Sequence, residues 1–410
     1  MQEAQYCTFR PLISTYAEDT LHNALFSGST RTRLTIHFGS KIVPFRKFDA
    51  NSGTMRACGM RAYGACGHGV VGRSAGRQGG RARGRRVGAM EYFISHQTAL
   101  EFWKAAQASV ALEGKRLRKN PPIKPVDGKE LHVSNPWNLT TPMHILISNK
   151  NVRRVNESLQ YHIASRQFPT GSFIQVDSKL AVSSPELCFV QMASELSLIE
   201  LIELGYEFCG RYRLEENNKK GRGFRDDLPL TSVNKLDSYL SRVAGLKGSK
   251  NARRALRYLA DGSASPMESA LTMLLTLPYK FGGYGLPMPL LNCPVQVAKD
   301  AKKTSKAKLY CDLYWPEEQV DVEYDSDAYH ANPARISKDA IRRNALTSAG
   351  VTVITLSRKQ INNTAELHRV AVDLSKLLGK RLVYKMPEFT MRHAKLRSHL
   401  LPKVPQERLW

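Results

Sequence analysis

The stretch Val320–His330, VDVEYDSDAYH, carries four carboxylates at alternating positions: Asp321, Glu323, Asp325 and Asp327. A fifth, Asp312, precedes them in KLYCDLYW (Lys308–Trp315). The two runs read as strands joined by Pro316, Glu317 and Glu318, which makes a hairpin. A strand alternates its side chains between faces. Cys311, Leu313 and Trp315 are therefore expected on one face and Asp312 on the other. On the second strand Asp321, Glu323 and Asp325 share a face, and Val320, Val322 and Tyr324 share its opposite. Asp312 and Glu323 are expected to meet across the hairpin. Carboxylates held together repel and raise one another's pKa unless a cation lies between them. Hard oxygen ligands of this kind suit Mg²⁺ or Mn²⁺. An ion held there would activate water and stabilise the charge that develops in phosphodiester displacement.

The elements around the hairpin must position those groups. Downstream comes His330, then the helical run SKDAIRRNALTSAG, then the strand VTVITL. On that helix Asp339, Arg342 and Arg343 lie at i, i+3 and i+4 and share a face, which also allows an Asp339–Arg342 ion pair. A further helix, NNTAELHRVAVDLSKLLGKRL, has an apolar stripe of Leu367, Val370, Leu374, Leu377 and Leu378 and ends at Gly379. Upstream, Ser265 reads as an N-cap with Pro266 at N1 and Glu268 at N3. That is a capping box, and it competes with any metal role for Glu268. A half-buried strand with a polar outer face also yields alternating carboxylates, so each acid taken singly fits solvated surface.

The run CDLYWPEEQVDVEYDSDAYH…KDAIRRNALTSAGVTVITLS resembles the Vsr-like (very-short-patch-repair-like) branch of the PD-(D/E)XK endonuclease superfamily, over about Ser263–Leu382. The shared pattern is an Asp on one strand, Glu-x-Asp on the next, a His, D-x-x-R on a helix, then a buried strand. The resemblance implies a metal-dependent DNA endonuclease using Mg or Mn. Asp312 and Glu323 would be the metal carboxylates, and Asp325 would take the usual Lys position. His330 would transfer protons and Arg342 would steady the site or the phosphate. Glu268 would be the upstream helix acid, and Asp339 the acid of D-x-x-R. The resemblance gives Asp321 and Asp327 no ligand role. Two departures stand out: the catalytic-style Lys is missing, and Ser326 replaces the Gly that usually follows Glu-x-Asp.

The preceding region resembles another family. ISHQTALEFW, SSPELCFVQMA, LIELGYEFCGRYRL and GSASPMESALTMLLTLPYKFGGYGLPMPLLN are similar to the AbiEi-like proteins, antitoxin-type transcriptional regulators of bacterial abortive-infection systems, over about Met90–Asn292. This implies a DNA-binding autoregulator with a cognate toxin gene product or an operator as partner. It offers the rival reading: a non-catalytic antitoxin or regulator carrying a degenerate nuclease fold. Within the region, Ser95 reads as an N-cap before a helix bearing Leu100, Phe102, Trp103, Ala106 and Val110. MHILIS and GSFIQV read as strands. A single buried helix is expected from Ser184 as N-cap, through Pro185, to a stop at Gly205. Helices are also expected around Val233–Leu246 and Asn251–Ala260, the second with a solvated face of Arg253, Arg254 and Arg257.

The chain's 410 residues allow two or three domains. Lys and Arg number 61 against 36 Asp and Glu, a net charge of +25 that favours a polyanionic partner, DNA above all. Seven scattered cysteines include no CxxC pair, which argues against a zinc knuckle or a disulfide framework. No run approaches the ~20 apolar residues of a membrane span, and a cytoplasmic protein is expected. From Asn51 to Ala89 there is no Asp, Glu or Lys, but eight Arg and eleven Gly. Such a stretch cannot bury a core. It reads either as a nucleic-acid-binding arm or as a misassigned start ahead of Met90.

The expected fold class is α/β: a C-terminal restriction-endonuclease-like mixed sheet flanked by helices, preceded by a mostly helical α+β region. The expected domains are a disordered Arg/Gly-rich extension (1–89), an AbiEi-like regulatory region (90–260), a Vsr-like nuclease domain (261–385) and a basic, loosely ordered tail (386–410).

Overall fold

The computed structural model describes residues 92–117, 139–147, 157–164, 166–215, 223–298, 306–325, 333–382 and 387–401, with two short strands nearer the N-terminus. The chain forms two compact units, Met1–Arg81 and Ala82–Trp410. In the first, β1 (Thr35–Phe38) and β2 (Lys41–Pro44) make an antiparallel hairpin with Phe38 opposite Lys41. Apart from these strands the expected 1–89 extension lies outside the described residues, as does most of the basic linker after Leu117.

The second unit opens with β3 (Tyr92–Ile94), α1 (His96–Ala105) and α2 (Ala108–Glu113). Then come β4 (Met143–Ile147), β5 (Leu159–Ile163), β6 (Phe173–Gln175) and β7 (Leu180–Ser183). They form one mixed five-stranded sheet in the order β5-β4-β3-β7-β6. This is the sheet of the expected α+β region, and the expected strands MHILIS and GSFIQV are its β4 and β6. The apolar face of α1 buries Leu100, Phe102 and Trp103, and the Trp103 indole donates to the Ser183 carbonyl at 2.8 Å.

One expected helix is two: α3 (Pro185–Met192) and α4 (Leu198–Cys209). Ser184 caps the first through the Leu187 N–H. Ser197 restarts the chain with a full capping box, its hydroxyl taking the Glu200 N–H while the Glu200 carboxylate takes the Ser197 N–H at 2.8 Å. Gly205 does not end a helix but sits inside α4. A Cβ there would come within 2.5 Å of Leu259 Cδ1, so the glycine lets the helix approach that leucine. A small hairpin follows, β8 (Tyr212–Leu214) with β9 (Phe224–Asp226), and then α5 (Val233–Arg242) and α6 (Ser249–Leu256). Arg253, Arg254 and Arg257 are exposed as expected.

Next come α7 (Pro266–Thr276), β10 (Leu290–Ala298), β11 (Lys306–Trp315), β12 (Val320–Asp325), α8 (Pro333–Ser348), β13 (Thr352–Ser357), α9 (Arg358–Asn362), α10 (Thr364–Leu377) and α11 (Pro387–Leu400). The sheet order is β10-β11-β12-β13, with the first two pairs antiparallel and β12–β13 parallel. A parallel pair needs a long crossover, which here contains α8. The main core runs from Tyr92 to Leu401 and takes one face of this sheet through Leu313, Trp315, Val320 and Val322. It is continuous across the boundary expected at residue 260. A smaller cluster of Val297, Cys311, Tyr314, Leu346 and Val351 fills the space between the other face and α8. The fold class is α/β, with mixed sheets flanked by helices.

Two details differ from expectation. On α10, Leu367, Ala371 and Leu374 are buried while Leu377 is 44 % exposed, so the stripe turns past Leu377. The expected loose tail is helical over α11, which buries Phe389 and Leu396 and seats His393 Nδ1 2.7 Å from the Gly282 carbonyl. Among the described residues no helix is long and apolar enough to cross a membrane, and Cys188, Cys209, Cys293 and Cys311 are free thiols.

Candidate carboxylate site

The expected hairpin forms, with Leu313 opposite Val322, Tyr314 opposite Asp321 and Trp315 opposite Val320. The simple alternation along β11 does not hold. Leu291 and Leu313 are partners in the main core, while the next such pair, Cys293 and Cys311, belongs to the cluster under α8. The faces exchange at Asn292 and Asp312, which lie between those two pairs. Asn292 has φ of 47°, the left-handed region that Asn tolerates better than most residues. Cys311 consequently faces α8 with Tyr314, instead of the main core with Leu313 and Trp315.

Asp312 sits at that exchange, and its Oδ2 accepts the Tyr324 N–H at 3.0 Å. Burial raises its pKa, with the Tyr324 N–H and Arg342 opposing. Asn292 donates through Nδ2 to Glu268 Oε2 at 2.7 Å. Glu268 is buried at the start of α7 and completes the expected cap in altered form. Its N–H goes to Ser265 Oγ (3.2 Å), and its carboxylate accepts the Ser265 hydroxyl (2.9 Å) and the Ala264 N–H (2.9 Å) rather than the Ser265 N–H. Despite these donors, burial and the Asp312 charge lift Glu268 to about 7.

Glu323 lies under Arg342 of α8. Arg342 Nη2 stands 2.8 Å from Glu323 Oε1, Nη1 donates to Oε2 at 3.3 Å, and the guanidinium also donates to the Tyr310 carbonyl. The guanidinium thus grips Glu323 across the sheet instead of pairing with Asp339, which is exposed on α8. Glu323 is nonetheless pushed upward by burial, and by Asp312, against the pull of Arg342. Asp325 ends β12 opposite Ser357 and is half-buried. His330 and Asp327 lie outside the described residues.

The residue that sequence reasoning passed over is Asp321. It is 0 % exposed, both carboxyl oxygens are buried, and the groups that face them are the Cys311 thiol and the Glu323 carboxyl. Burial, and then the adjacent Glu323, raise its pKa well above the usual carboxylate range. An aspartate in that setting holds its proton, so Asp321 is part of the cluster rather than a surface residue beside it. Its alternation with Glu323 was a signal, but its burial depends on α8 covering the face.

The donor set of Asp312 and Glu323, with Glu268 alongside, fits a hard divalent ion. All are oxygen ligands that repel one another, Glu268 buried and Asp312 and Glu323 half-buried, and the buried carboxyl of Asp321 stands beside Glu323. No three carboxylates here bring ligand oxygens within 4.8 Å of one another among the described residues.

Two uncharacterized proteins of Mycobacterium tuberculosis, from strains CDC 1551 and H37Rv, are each 28 % identical to this chain over 122 residues, 30 % of this chain and 40 % of theirs. The chain thus spans about two fifths of the length of the curated relatives it matches. No family model and no solved structure matches.

Proposed function

We propose that the C-terminal sheet carries a metal-dependent nuclease-type site acting on DNA phosphodiesters, a restriction-endonuclease-like domain of the Vsr-like kind, joined to an AbiEi-like regulatory region. The observation that carries this reading is the cluster of two buried carboxyls, Glu268 and Asp321, and two half-buried ones, Asp312 and Glu323, with Arg342. It lies on elements that come in the order the resemblance implies: a strand with Asp312, a strand with Glu323-x-Asp325, a helix with Asp339 and Arg342, then β13. Asp312 and Glu323 are the ligands for Mg or Mn, whose charge would assist phosphodiester displacement and the activation of water. Glu268, poised near 7, accepts or returns a proton beside Asp312. Arg342, once released from Glu323, offers a planar fork to a phosphate oxygen. The net charge of +25 supplies the general attraction to DNA.

One observation favours the rival reading, a non-catalytic antitoxin or autoregulator that keeps the fold. The Arg342 clamp on Glu323 already supplies the positive charge a metal would bring. The experiment that separates the two is nicking of supercoiled plasmid with Mg²⁺ or Mn²⁺ by the wild type, Asp312→Asn and Glu323→Gln. The nuclease reading expects divalent-dependent nicking that both substitutions abolish. Absence of nicking in every divalent ion, with sequence-selective binding to DNA upstream of its own gene, establishes the regulator instead.

A further inference from the structure

Away from the carboxylate cluster, three histidines converge over the five-stranded sheet. His96 opens α1, His144 lies on β4 and His162 on β5. In the parallel β4–β5 register Leu146 lies opposite His162, so His144, two residues before Leu146, shares its face with His162. His162 Nε2 is 3.0 Å from His144 Nδ1. His96 stacks on His162, with ring centroids 3.6 Å apart and planes within 11°. Its Nδ1 is 3.0 Å from Ser95 Oγ, and its backbone N–H donates to Gln191 Oε1 at 3.1 Å. His96 has φ of 47°, a conformation uncommon for a residue with a side chain and one that the surrounding contacts must hold. Glu195, exposed in the turn between α3 and α4, completes the group. Single ligand atoms of His96, His162 and Glu195 all lie within 4.8 Å of one another, the one such set of three or more among the described residues.

We propose that His96, His162 and Glu195 are the ligands of a divalent transition-metal ion of the zinc class, with His144 positioning His162. The hydrogen bonds already made dictate the donor atoms. With His96 Nδ1 committed to Ser95 and His162 Nε2 to His144, the nitrogens left are His96 Nε2 and His162 Nδ1. Each ligating imidazole then passes its remaining N–H to a partner, the arrangement that fixes tautomer and ring orientation at metal sites. Burial above all, and the neighbouring imidazoles, hold His96 at about 3 and His162 at about 4, so both rings are neutral at physiological pH with a lone pair to offer.

Imidazole with one carboxylate suits zinc, cobalt or nickel, whereas magnesium prefers all-oxygen sets. Two histidines and a glutamate leave a fourth position, and the exposed Glu195 puts it at the surface, where water can fill it. Ligand atoms about 2.0–2.2 Å from a tetrahedral ion lie roughly 3.3 Å apart. The group must therefore contract, by unstacking the two rings and turning the Glu195 side chain inward. Lys247 acts on His96 and His162 and opposes a cation here, while Glu195 and Glu101, which act on His144, favour one.

The test uses the untagged full chain, stripped with a chelator and titrated with Co²⁺. One Co²⁺ per chain should bind at this site, with the visible absorption of a four-coordinate nitrogen and oxygen site and without a thiolate charge-transfer band, whether or not further Co²⁺ enters the all-oxygen carboxylate cluster. Zn²⁺ should displace it and excess Mg²⁺ should not. Glu195→Gln, an exposed change that leaves the core alone, should weaken binding at least about tenfold. His162→Gln should weaken it further, and His144→Phe roughly tenfold through loss of the ring-to-ring hydrogen bond. The signal should persist in Glu323→Gln, which separates this site from the carboxylate cluster. Spectra no different from free cobalt overturn the proposal, as does displacement by Mg²⁺. If His162→Gln does not fold, Glu195→Gln decides alone, and unchanged affinity in it overturns the assignment.

Discussion

Glu268 makes the carboxylate cluster measurable without any assumption about catalysis. Its pKa of about 7 against an ordinary 4.5 means the folded chain holds that proton more tightly than the unfolded chain. The resulting stability is complete below about pH 4.5 and fades as the pH rises through 7, to the extent of about 3 kcal/mol. Glu268→Gln should remove that loss. The glutamine keeps an oxygen for the Ala264 N–H and the Asn292 amide, and its NH₂ can donate to Ser265 Oγ, so the cap survives. Urea unfolding in a chelating buffer at pH 5 and pH 8.5 reads the effect. The wild type should lose more stability between the two than Glu268→Gln, by up to about 3 kcal/mol, and the variant should be the more stable at pH 8.5. Asp312, Asp321 and Glu323 also have raised values and contribute in the same sense in both proteins, so the difference between them is the measurement. Equal pH dependence in the two proteins would show that Glu268 is ionised in the fold and that its coupling to Asp312 is not felt.

Arg342→Met should cost about 2 kcal/mol by leaving Glu323 buried without its cation, less than for a fully buried pair because Arg342 is 34 % exposed; adding Glu323→Gln should recover most of that in urea unfolding, and no recovery refutes the clamp. Gly205→Ala should destabilise by about 1 kcal/mol, the clash with Leu259 outweighing the gain in helix propensity; a neutral or stabilising result there shows that α4 does not need the close approach. If the nuclease reading holds, affinity for Mn²⁺ at the carboxylate cluster should rise between pH 6 and pH 8, since an ion on Asp312 and Glu323 must displace protons from the neighbouring raised carboxyls of Glu268 and Asp321; isothermal titration showing pH-independent affinity, or no proton release, argues against Asp312 and Glu323 as ligands.

What the sequence disclosed and what it hid divide by range of interaction. The caps at Ser184 and Ser265 were legible because a cap is a contact between residues three apart. The restart at Ser197 was equally local, a Ser-x-x-Glu pattern, but it was masked by apolar residues running on both sides of it. The hairpin followed from two runs of alternating residues on either side of a short polar turn. The exchange of faces at Asp312 did not, because it arises with the partner strand, where Asn292 takes a left-handed φ. The same limit hid the histidine group: His96, His144 and His162 come from three separate elements, and only the order of the sheet brings them together. Nothing in the basic composition of the tail announced that Phe389 and Leu396 would find a place in the core.

Asp321, Glu268 and Arg342 together explain how so much negative charge stands in the middle of a basic protein. Two buried carboxyls, Asp321 and Glu268, carry pKa values high enough to be largely or partly protonated near neutral pH, and Glu323 is held against a guanidinium. Protons and Arg342 therefore do the neutralising that a divalent ion would otherwise do. Each is exchangeable: a proton leaves as pH rises, and a half-exposed arginine can turn to a phosphate. On the nuclease reading, the strain that makes the metal-free cluster less stable at high pH is the same free energy that a metal ion recovers on binding. Falling stability of the metal-free protein and rising metal affinity should then share one origin and run in opposite directions with pH. A cluster that was simply solvated surface would show neither slope, because exposed carboxylates titrate alike in the folded and unfolded chain.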